Sequence, residues 1–211
     1  MLPSDLSYER LDDLAVAVDE GTLGADAELS RPIIAARIGP LLELLLLRAQ
    51  SRWPRGVVGR IEEGSFQDFM AALRARRNLW IGANGTKGFM RLGKDYGDDE
   101  ETRWTSFGLK SDKAMQAAGL PAGLAGQLVG ATKELHSNVY EHSERSRSGI
   151  VAFAVHEEMA EFIVADSGIG VLASLRTNPA HADLQHDGEA LHLALQPGIT
   201  RYASPKFPDH Q

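Results

Sequence analysis

Apolar residues recur along this chain at helical and at strand spacing, and the spacing predicts the elements. Leu11, Leu14, Ala15 and Val18 share one face of a helix running from Tyr8 to Val18. Ser30 and Pro32 open a second helix that runs toward Gln50, with a break at Pro40. Its densest part, Leu41 to Leu47, is too short to span a bilayer and reads as a buried helix or as one that docks on a partner. Ser65 and Asp68 introduce a third helix, with Phe66, Phe69, Met70 and Leu73 on its stripe. Asn84-Gly85, set between Leu79-Trp80-Ile81 and Phe89-Met90, reads as a hairpin turn. Asp98 to Glu101 reads as a solvated loop and Thr102 to Leu109 as a further strand. A short helix begins at Ser111-Asp112, and Gly119-Leu120-Pro121 interrupts the chain.

Beyond Pro121, Leu124, Leu128, Ala131, Leu135 and Val139 form the apolar stripe of a longer helix. Its back should pack on a sheet while Glu134 and Asn138 line a cleft. Gly149 to His156 and Met159 to Ala165 read as two strands joined at Glu157-Glu158, a hairpin that returns Asp166 beside Ser143. Val171 to Leu175 is a helical turn, Asn178-Pro179 a loop, and His186 to Gln196 a helix stopped by Pro197-Gly198. The class is α+β, with residues 1–110 a mixed α/β region of unassigned role and residues 111–211 a second unit.

Two segments carry candidate chemistry. Glu134-Leu135-His136-Ser137-Asn138-Val139-Tyr140-Glu141-His142-Ser143 sets Glu134, Asn138 and His142 four residues apart, along one stripe of a helix. Asp166-Ser167-Gly168-Ile169-Gly170 ends an apolar strand with a carboxylate and alternating glycines, where backbone can approach a ligand closely. Together they suggest a nucleotide site.

In this order the segments resemble the N box and first glycine box of the GHKL (Bergerat-fold) superfamily, nearest its histidine-kinase-like ATPases, which include anti-sigma serine kinases. The resemblance spans roughly residues 120–200. It implies a two-layer α/β sandwich of the histidine-kinase-like ATPase type over residues 111–211, binding ATP and Mg²⁺. It also implies roles: Glu134 polarises the attacking water, Asn138 holds Mg²⁺ against the phosphates, Asp166 accepts the adenine amino proton, and Gly168 and Gly170 let the chain pass the base. No second G-x-G follows Gly198 to meet the triphosphate. Two functions therefore stand: a stand-alone ATPase or serine-kinase-like regulator, and a regulatory protein-interaction module with little or no turnover. A longer chain that completes the site is a third alternative. A protein partner is expected, and homodimerisation stays open.

Composition narrows these readings. A net charge of −7 and a pI near 5.5 disfavour a protein whose main work is binding phosphate backbones. Arg74, Arg76 and Arg77 sit at a helix end, where they oppose the macrodipole. With no cysteine and no basic-then-apolar leader, the cytoplasm is the expected compartment and no membrane segment is expected. Gly82 to Gly88 lacks the G-K-[ST] ending of a P-loop and reads as a turn. His181, His186 and His192 are spaced by five and six residues, which does not stack two imidazoles on one helix face, so they read as solvent-exposed. No phosphoacceptor histidine is evident, and autophosphorylation is disfavoured.

Overall fold

Residues Ile150–His156 are buried at their first six positions, so this strand must carry a layer on each of its faces. The computed structural model describes residues 5–22, 32–49, 53, 59–156, 159–196 and 199. In chain order the elements are α1 (Tyr8–Asp19), β1 (Ile33–Ile34), α2 (Ile38–Ala49), β2 (Ile61–Glu62), α3 (Gln67–Arg74), β3 (Leu79–Ile81) and β4 (Lys87–Arg91). There follow α4 (Asp98–Ala117), α5 (Ala122–His142), β5 (Ile150–His156), β6 (Met159–Ala165), α6 (Gly170–Arg176) and α7 (Asp187–Ala194). The fold is α+β. One antiparallel sheet has the order β3-β4-β5-β6, and β1 and β2 form a small parallel pair.

Alternation along β5 sorts the core into two. Ile150, Ala152 and Ala154 meet the apolar residues of α1, α2 and α3, among them Leu11, Leu42, Phe69 and Leu73. Val151, Phe153 and Val155 meet Trp104, Phe107 and Met115 of α4 and Ala125 and Val139 of α5. Phe153 packs edge-on to Phe107 and stacks on its cross-strand partner Phe162. The sheet thus lies between two helical layers. β3 and β4, from the first hundred residues, share it with β5 and β6.

Most expected elements are present, and five readings are corrected. Thr102 to Leu109 is helical: α4 buries Glu100, Trp104, Phe107, Ser111 and Met115 at spacings of three and four, a helical period. Asp98 to Glu101 is its first turn, where carboxylates favour the positive end of the helix. Residue 111 lies inside the same unbroken helix, so no new helix begins there. The second helix starts at Ile38, after a short strand, and Pro40 sits in its first turn, where its missing N–H breaks no bond. Ser30 lies outside the described residues. Leu41, Leu42 and Leu44 are buried, which makes the leucine run core.

α5 also departs from its expected stripe. It turns Ala125, Thr132, His136 and Val139 inward, whereas Leu124 and Leu135 stay 46% and 54% exposed. Two polar residues can face inward because each has a partner: Thr132 donates to the Leu128 carbonyl at 2.8 Å, and His136 meets Glu100 at 3.1 Å. Among the described residues, no helix is long and apolar enough to cross a membrane.

Candidate functional site

β6 ends at Ala165, and the chain then turns sharply to reach α6. Asp166 Oδ1 closes the turn by accepting the Gly168 amide at 2.7 Å, a short-range bond typical of Asp in turns. The Ile169 amide donates to the Ser143 carbonyl at 3.0 Å, and the Ser167 amide donates to Ser148 Oγ at 2.9 Å. The first of these two bonds fastens the glycine turn to the end of α5, and the second fastens it to the 3-10 turn before β5. Gly168 is required by space: a Cβ there would lie 2.5 Å from Asp166 Oδ1, Ser143 Cβ and the Ser143 carbonyl oxygen. Gly170 is required by conformation, because its φ of +79° lies in the left-handed region.

A cavity of about 380 Å³ opens where α5, β6, α6 and α7 meet. Asn138 and His142 reach it from one side, and Asp166 and Gly170 from the other. Its apolar walls are Leu135, Val139, Val164, Val171, Leu175, Ala194 and Ile199. Sites for small organic ligands have this character, apolar with a few converging polar groups, and volumes of about 300–1,000 Å³.

The residues singled out in the sequence divide accordingly. Asn138, Asp166 and Gly170 line one cavity, and Gly168 sits behind it as the packing point of the turn. Glu134 is exposed and does not line the cavity. Leu135, read from the sequence as packing on the sheet, instead forms cavity wall. Ser143, expected beside Asp166, also lines the cavity, as do Ser174 and Leu175 of the predicted helical turn, to which the sequence assigns no part in the site. The spacing of four between Val171 and Leu175 was the available signal, since it sets both on one face of α6.

Among the described residues, no group of three His, Cys, Asp or Glu side chains could hold a metal ion. A divalent ion here would need oxygen ligands from a bound anion, which is how Mg²⁺ usually joins one or two protein groups to phosphates. His186 and His192 are exposed, and His181 is half-buried. Gly82 to Thr86 forms the β3–β4 turn, closed by the Gly82 amide on the Lys87 carbonyl at 2.9 Å. No family model matches the chain, and no curated protein or solved structure is significantly similar to it.

Proposed function

We propose that this protein binds an adenine nucleotide through a site of the histidine-kinase-like ATPase type. The observation that carries the reading is that Asn138, from the first motif, and Asp166 and Gly170, from the second, line one cavity of about 380 Å³. A purine has two apolar faces and an exocyclic amine. Val139, Val164, Val171 and Leu175 offer surfaces for the faces, and the Asp166 carboxylate offers an acceptor for the amine. Asn138 would hold Mg²⁺ together with phosphate oxygens, and the ion would neutralise phosphate charge there.

The second reading, a regulatory module with little turnover, is favoured by Glu134. A general base must lie within hydrogen-bond reach of the proton it takes, directly or through one water. Glu134 is exposed and outside the cavity lining. Binding is therefore the primary activity, and serine-kinase or ATPase chemistry is the extension that requires Glu134 to gain access.

Thermal denaturation tests the assignment. A ligand at about a hundred times its Kd stabilises by roughly 2.7 kcal/mol, and a chain of this length gains about 2–4 °C per kcal/mol. ADP should raise the Tm of the parent and leave that of Asp166→Ala unmoved. Asn138→Ala should lose the added effect of Mg²⁺, and Glu134→Ala should bind as the parent does. A parent that is unmoved by millimolar ADP contradicts the proposal.

A further inference from the structure

The side of α5 turned away from the cavity carries a buried polar cluster that nucleotide binding does not use. The Glu100 carboxylate, 1% exposed, meets His136 Nε2 at 3.1 Å, accepts the Gly93 amide at 3.3 Å, and accepts from the Arg103 guanidinium. Tyr140 Oη accepts the same Gly93 amide at 2.9 Å and donates to Glu100. The imidazole of His136 is fully buried and lies against Trp104, with ring centroids 4.8 Å apart. Beside the cluster, Lys133 Nζ of α5 reaches Glu101 of α4 at 3.0 Å.

α5 presents two competing faces. The stripe of Leu124, Leu128, Ala131 and Leu135 is the more apolar one, and burying a leucine is worth about 1.5–3 kcal/mol. Apolar burial alone would therefore turn the whole stripe inward, yet only Leu128 of it packs on the core, Leu124, Ala131 and Leu135 are exposed, and Thr132 and His136 face the interior beside Ala125, Val129 and Val139. Buried ionic groups add little net stability relative to apolar replacements, but they can select one arrangement among several. Each residue advances a helix by about 100°. Turning α5 to bury Leu124 and Leu135 would swing Asn138 away from its present wall of the cavity.

We infer that Glu100 is a positioning residue: through His136 and Tyr140 it selects the rotational setting of α5 that points Asn138 and Leu135 into the cavity. Only the consequence for ligand affinity rests on the nucleotide reading; the setting of the helix does not.

The chain has no cysteine, so a single thiol introduced by Leu135→Cys reports the setting without any ligand. In the otherwise unchanged protein that thiol should react readily with a soluble maleimide. Adding Glu100→Leu and His136→Leu removes the cluster but keeps an apolar core, and the reaction should slow at least about tenfold while circular dichroism stays native, with the ADP Kd of the same pair of changes rising at least about tenfold, which is 1.4 kcal/mol. An unchanged thiol rate in this folded variant overturns the inference. If the doubly apolar variant does not fold, Glu100→Gln and Tyr140→Phe carry the same assay: slower reaction in either supports the inference, and parental rates in both overturn it. A parent that fails to bind ADP sinks the nucleotide reading and leaves the thiol assay to judge the clamp.

Discussion

The Ser143 carbonyl accepts the Ile169 amide at 3.0 Å, which bonds the end of α5 directly to the glycine turn that carries Asp166. The two halves of the candidate site are therefore one mechanical unit. Gly168 is its tightest point, with Ser143 backbone and side-chain atoms 2.5 Å from where a Cβ would stand. Gly168→Ala forces that contact apart, and overpacking of this kind costs about 1–3 kcal/mol. At about 2–4 °C per kcal/mol, a melting curve should shift down by about 2–12 °C. Calorimetric titration of the same variant below its Tm should show weakened ADP binding.

Acid should act on the α4–α5 junction. Burial alone would raise the Glu100 pKa, but hydrogen bonds from His136, Tyr140 and Arg103 outweigh it and hold the carboxyl below its ordinary value. A folded-state pKa below the unfolded one, near 4.3, gives stability that is fully present above about pH 4.3 and lost as pH falls through the folded value. Urea denaturation between pH 6 and pH 3 should therefore show a smaller acid loss in Glu100→Gln than in the parent. Equal slopes would mean that Glu100 does not carry this linkage.

A second buried carboxylate ties the N-terminal layer to β6. Glu161 accepts Arg37 Nε at 2.9 Å and the Ile38 amide, at the start of α2, at 3.1 Å. Arg37 is half exposed while the Glu161 side chain is 5% exposed, so losing the cation strands the anion. Arg37→Met should cost about 1–3 kcal/mol. The deficit should shrink in Arg37→Met/Glu161→Gln, where no buried charge remains, and a double-mutant cycle in urea measures the difference.

Much of this architecture could be read from the chain because local and tertiary preferences agree there. The hairpin at Asn84-Gly85, the stripe of Phe66, Phe69 and Met70, and the strands flanking Glu157-Glu158 all follow their periodicity into the structure. The placement of Asn138, Asp166 and Gly170 on one cavity followed from the same hairpin. What escaped was set by polar groups that are buried only because they are paired. Glu100 reads as solvated until His136 and Tyr140 are placed against it, and no spacing in the sequence marks His136 as its buried partner. Once those partners fix α5, Leu135 becomes cavity wall and Glu134 turns outward. Sequence spacing alone does not carry that information.

Isothermal titration calorimetry of the intact chain with ADP and with Mg²⁺ and ATP tests the central claim most directly. Asp166 and the apolar walls would contact the base, and Asn138 is the one residue of the proposed site assigned to the phosphates and their Mg²⁺, so most affinity should come from the adenosine end. The two ligands should bind weakly, with Kd values within about tenfold of each other, a gap of at most about 1.4 kcal/mol, and Asp166→Ala should abolish the heat of both. Absence of binding by the parent, or undiminished binding by Asp166→Ala, would contradict the account.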